Sequence, residues 1–266
     1  MRAFFSIIKI RFNLLLQYRV AAFAGAFTQF FFGIIMVMIL YGFYNSSTGE
    51  MPIDYKVAVT YIWIGQAMLG MLPWNGDSEI QNLIRTGNVT YELIRPMNLY
   101  NYWFARAFAL RTAPTLLKSL PLFVVALLLP KDYSMSFPPN IQALVGWIVV
   151  TFGALMISCT ITNIINMTTL YSLSGDGIQR LLATIVTICS GMIVPLPLFP
   201  DNFKQVLNYL PFGGLVDIPA RFFTGEIPIE QLLKYFGFQC LWAMILYILG
   251  QWILNRKIKD LVVQGG

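Results

Sequence analysis

The chain has 266 residues, of which 57% are hydrophobic, 15% aromatic and only 11% charged, with a formal net charge of +6. Soluble domains carry about 25% charged residues, and several apolar windows here reach the roughly 20 residues needed to cross a hydrocarbon layer about 30 Å thick, so a soluble globular fold is excluded. The cations flank the apolar runs without forming a patch, which excludes nucleic acid as a partner. The complete lack of histidine excludes His-based nucleophiles and His-ligated metals.

In residues 1–19, Arg2, Ser6, Lys9, Asn13 and Gln17 recur at helical spacing, with Phe4, Ile8, Phe12 and Leu15 opposite. This pattern predicts an amphipathic helix lying in the membrane interface, with lipid as its first partner. Arg11 falls off the polar stripe and is expected to snorkel. No charged start, short apolar core and small-residue cleavage site occur together, so no cleaved leader is expected.

Residues 20–44 form the first predicted span and 57–74 the second, separated by a turn-forming loop. A polar interruption follows at 76–101, GDSEIQNLIRTGNVTYELIRPMNLYN. Asp77 and Ser78 can cap a short helix running to about Arg85, and Gly87 suits the left-handed position just past its end. Thr90 and Glu92 can open a second turn, which must stop near Arg95 because the residue before Pro96 is pushed out of the helical region. The expected product is a compact helix, turn, helix knob.

The third span is placed at 113–129, kinked by Pro114 and Pro121. The preceding 101–112 is expected to be interfacial, because Arg106, Arg111 and Lys118 would each cost about 2.5–3.5 kcal/mol in hydrocarbon. The fourth span is predicted at 141–165, followed by the turn SLSGDG, and the fifth at 178–194. Residues 195–228 are too broken by Pro and Gly to span and too apolar for a free loop, which predicts short re-entrant or interfacial helices. The sixth span is 232–254. Cys159, Cys189 and Cys240 all fall within these spans, and their odd number argues against a disulfide framework.

The expected fold is thus an all-α membrane protein, a single domain over 1–266 with six transmembrane helices. An even number of crossings puts both termini on one side. Making that side cytoplasmic places 13 of the 18 basic residues inside and leaves Lys56, Lys131, Lys204, Arg221 and Lys234 outside. The 76–101 region is then cytoplasmic and 195–228 faces outward.

GNVTYELIRP at 87–96 resembles the segment that follows the second span in permeases of the ABC type-2 exporter family. LPFGGLVDIPARFFTGE at 210–226 is similar to the Pro-containing segment before that family's last span, and the ending IKDLVVQGG resembles a close found in one bacterial subgroup. The resemblance implies an export permease of the bacterial inner membrane, paired with an identical or homologous second permease and served by two ABC ATPase subunits. It also implies that 76–101 supplies a coupling helix for the ATPase. That role is carried onto Ile84, Arg85, Thr86, Gly87, Asn88, Val89, Thr90, Tyr91 and Glu92, with Arg95 and Pro96 fixing the exit. The sequence has no Gly-x-x-x-x-Gly-Lys-Ser/Thr loop, so no cofactor is expected on this chain, and ATP with its Mg belongs to the partner.

Intramembrane polar residues point to substrate paths, and Gln29, Gln66, Asn163 and Gln239 are the candidates. Interhelical hydrogen bonding is an equal reading of each. A path without ionisable groups suits a hydrophobic or amphipathic cargo such as a drug, peptide or lipid. A membrane-embedded lipid-modifying enzyme and a noncatalytic scaffold are the alternatives.

Overall fold

The computed structural model describes residues 2–47, 49–94, 97–171 and 176–258, and everything described in regular structure is helical. The amphipathic N-terminal segment is helix α1, Arg2–Leu16, and the first long apolar helix is α2, Arg19–Ser46. Helix α3, Tyr55–Met68, starts at Asp54, whose side chain accepts from the Lys56 N–H, and ends in a 3-10 turn, Leu69–Met71. The polar hairpin is α4, Ser78–Arg85, followed by α5, Thr90–Leu93.

Helix α6, Leu99–Leu128, opens under an Asn98 cap and runs unbroken through Pro114 and Pro121. The segment 101–112, expected at the interface, is therefore the first third of this helix, and its cations are satisfied within the protein as described below. Helix α7, Ile141–Tyr171, extends past the predicted exit at 165, and α8 covers Asp176–Cys189. The predicted turn at 172–175 lies outside the described residues, as does the ending from 259 onward.

Residues 195–228 break into short helices, as their Pro and Gly content requires: a 3-10 turn at Leu196–Leu198, α9 at Asp201–Leu207, a second 3-10 turn at Pro211–Gly214, and α10 at Asp217–Thr224. After a last 3-10 turn, Ile229–Gln231, comes α11, Leu232–Lys257.

Among the described residues, four helices are long and apolar enough to cross a membrane: Val20–Ser46, Leu99–Leu128, Ile141–Tyr171 and Ile229–Lys257. Helices α3 and α8 have 14 residues each, about 21 Å of rise, which is short of the hydrocarbon thickness. In α3 every residue from Ala58 to Met68 is buried, so all of it beyond the first turn meets protein in place of lipid.

Helix α7 is the central rod. Along it α11 packs closely where the Gly153 position faces Gln239, whose Nε2 donates to the Val150 carbonyl at 2.9 Å and to the Gly214 carbonyl at 2.8 Å. At Gly146 a Cβ would stand 2.6 Å from the Phe222 ring, so only glycine lets α10 approach there. At the other end Asn166 takes the Asp77 N–H at 2.7 Å. These contacts are twenty residues apart, about 30 Å of helix, so α10 and the hairpin sit at opposite ends of the bundle.

Candidate functional site at the polar hairpin

The hairpin forms for local reasons. Asp77 caps α4 by accepting from the N–H groups of Glu79 at 3.0 Å and Ile80 at 3.4 Å. The helix stops at Gly87, which adopts φ +73°, the left-handed geometry that glycine enters without steric cost. Ile80 and Ile84, one turn apart, turn inward with Val89 onto Leu99, Trp103, Met167 and Leu254, so a small hydrophobic core fixes the knob to the ends of α6, α7 and α11.

An ionic hub lies beneath it. Arg106 of α6 forms a fork on Asp77, Nε to Oδ2 at 2.8 Å and Nη2 to Oδ1 at 2.9 Å, and also reaches Glu79 Oε2 at 2.8 Å. The Arg106 side chain is 3% exposed, Asp77 11% and Glu79 56%. Arg11 of α1 grips Glu79 from the other side through two bonds of 2.9 and 2.6 Å. This corrects the expectation that Arg11 snorkels: it ties the interfacial helix to the knob. The hydrogen bonds from Arg11 hold the Glu79 carboxyl down at about 2, against burial, which pushes it up; the same pair raises Arg11.

One turn and a half further along α6, Arg111 donates to the Leu72 carbonyl at 2.8 Å, to Thr162 Oγ1 at 3.0 Å and to Asn75. It closes the chain ahead of the knob onto α7. Gln81 donates to Gln179 of α8 at 3.2 Å. The base of the hairpin thus touches α1, α6, α7 and α8 through polar bonds, a joint able to pass displacement into the bundle.

The coupling candidates divide into two groups. Arg85, Thr86, Gly87, Asn88 and Tyr91 are exposed, Thr90 half-buried, and Tyr91 is 71% exposed. Ile84, Val89 and Glu92 are buried. The carboxylate of Glu92 accepts from the Trp103 indole N–H at 2.8 Å, so it supports the knob from within. Ile94, at 80% exposure, joins Tyr91 to give the tip an apolar patch that the sequence reading missed. Arg95 and Pro96 lie outside the described residues.

The four path candidates are all buried inside the helix packing. The Gln239 Nε2 is spent on backbone carbonyls as above, and the Asn163 amide faces the backbone of α6 at Tyr100. Gln29, Gln66 and Gln239 each keep a buried side-chain oxygen with no partner among the described residues.

Membrane-crossing helices joined by a buried ionic hub to a protruding polar knob define a multi-pass membrane protein. The family model described as ABC-2 family transporter protein matches residues 26–265, and the chain belongs to that family. It is a permease subunit of an ABC transporter, and the family implies association with an ABC ATPase component. Among curated proteins none matches the sequence.

Proposed function

We propose that the chain is the membrane subunit of an ATP-driven exporter, set in the bacterial inner membrane with six crossings and both termini cytoplasmic. Two ATPase subunits, which hold ATP and Mg, dock on the α4–α5 knob, and a second permease chain completes the complex. The cargo is hydrophobic or amphipathic and moves outward. Gln29, Gln66 and Gln239, whose side-chain oxygens lack partners among the described residues, are the residues we assign to the cargo path.

The observation that supports this reading best is the exposed tip, Arg85 to Asn88 with Tyr91, standing on the buried Arg106, Asp77 and Glu79 hub. A tip exposed to a partner and a base that is rigidly tied are the two requirements for transmitting force. The test is disulfide or bifunctional crosslinking from Asn88→Cys, in a chain without its native cysteines, to the co-expressed ABC ATPase. We expect a nucleotide-sensitive crosslink. Absence of any crosslink, with ATPase activity indifferent to the chain, would sink the reading.

A further inference from the structure

Two cavities of about 560 and 590 Å³ open at the α10 end of the bundle, and they share a wall. Asp217 and Arg221, one turn apart on α10, line both. Each volume falls in the range of about 300–1,000 Å³ typical of small-molecule sites. Their linings separate by polarity. The first adds Asp201, Lys204 and Glu226, whereas the second runs along α11 past Tyr235, Phe238 and Leu241, with Lys234 its one added charge, its ammonium over the Tyr235 ring.

Within the charged lobe the ions are unequally satisfied. Lys204 and Asp201 pair at 2.7 Å. Asp217 accepts from the Tyr61 hydroxyl at 3.0 Å, and its second oxygen stands 3.6 Å from Arg221 Nη1. Arg221 therefore makes one long ion pair, and its Nε is buried with no hydrogen-bond partner among the described residues. A guanidinium that lines a cavity, is 29% exposed and is engaged by one long ion pair is suited to a phosphate or carboxylate. Glu226 on the same lobe is exposed and makes no ion pair among the described residues. A purely anionic head would leave Glu226 opposed, and a purely cationic one would leave Arg221 unused. A head carrying both signs meets both.

The apolar lobe follows α11, the last of the long apolar helices. It opens beside Leu241, which is exposed on α11, and at Gly237 a Cβ would meet nothing within 4 Å. We propose that the double cavity holds a zwitterionic phospholipid of the surrounding bilayer, with its phosphate on Arg221, its ammonium toward Glu226 and an acyl chain along α11. This goes beyond the transport reading, and its test needs no ATPase.

The full chain in detergent is labelled with a phosphatidylethanolamine carrying a photoreactive acyl chain, with unlabelled lipids as competitors. We expect saturable labelling of the peptide spanning 235–241, displaced by phosphatidylethanolamine about tenfold better than by phosphatidylglycerol or phosphatidylcholine, the worth of one charge-assisted hydrogen bond. Gly237→Leu fills open space and favours the helix, so it leaves the fold intact and abolishes saturable labelling. Arg221→Gln weakens every phospholipid about tenfold, and Glu226→Gln erases only the ethanolamine preference. Labelling that never saturates, that diacylglycerol competes equally well, or that survives both Gly237→Leu and Arg221→Gln would overturn the proposal and mark annular contact.

Discussion

The indole of Trp103 donates to the carboxylate of Glu92 across 2.8 Å, turning the acid of α5 inward onto the first turn of α6. Removing it leaves a buried N–H unpaired, which costs about 1–3 kcal/mol. Glu92→Ala should therefore loosen the knob, seen as faster proteolysis within 78–94 and a lower melting temperature. Tyr91→Ala, at an exposed neighbour, should leave melting unchanged and weaken association with the ATPase. If both substitutions act alike on stability, the inward and outward division of the knob is wrong.

Arg106 and Arg11 share Glu79 but differ in burial, and their substitutions should separate accordingly. Arg106→Ala strands Asp77 in the interior and should cost about 3–5 kcal/mol. Arg11→Ala breaks a pair whose acid is half in solvent and should cost no more than about 1 kcal/mol. Denaturant unfolding in detergent measures both, and equal losses would contradict the hub as described.

Glu79 gives the joint a pH dependence of defined sign. Its carboxyl is held at about 2, below the ordinary 4.5, chiefly by the Arg11 hydrogen bonds. A depressed acid contributes stability above its unfolded value and loses it as pH falls through the folded one. Spin labels at the exposed Asn13 and Asn82 should report one narrow distance from pH 7 to about 5, broadening as pH drops from about 4.5 toward 2. The Phe4 ring stacks on Phe104, so α1 should stay attached to α6 throughout. Glu79→Gln should show the broad distribution at every pH.

Gly87 tests the turn itself. Its φ of +73° sits in open space, so a larger side chain meets no clash and only the backbone penalty is read. Gly87→Asn should be nearly silent, whereas Gly87→Val should cost about 1–2 kcal/mol of hairpin stability and impair coupling. Hydrogen exchange at the Thr86 to Val89 amides would resolve the two.

Gln66→Leu removes a buried oxygen that has no partner, so the fold should be unharmed or slightly stabilised. Transport assays with the variant should show altered cargo selectivity. Unchanged kinetics would remove Gln66 from the path.

What could be read from the sequence is what a few neighbouring residues decide. Asp77, Arg85 and Gly87 lie within one short segment, and their capping chemistry gives α4 its observed bounds. The ionic hub could not be read, because Arg106 is 29 residues from Asp77 and Arg11 is 68 from Glu79. Without those pairings, an insertion cost argues for keeping residues 101–112 out of the helix bundle; with them, the cations hold it together. The inward turn of Glu92 was not legible either, because a four-residue helix has no period to say which way its acid points. The short lengths of α3 and α8 escaped hydropathy windows, which do not register the 3-10 turn at Leu69–Met71 or the end of helix at Cys189.

Helix α7 meets the knob through Asn166 and α10 through Gly146, so one stiff element has a stake at each end of the bundle. Thermodynamic reciprocity then works in both directions: whatever free energy a nucleotide-driven pull at Asn166 delivers to the far end, an occupant at the far end returns in equal amount to the docking equilibrium. In the orientation proposed above, a single rod of this kind would make the permease a reporter of what lies beyond the membrane as well as a responder to what hydrolyses within the cell.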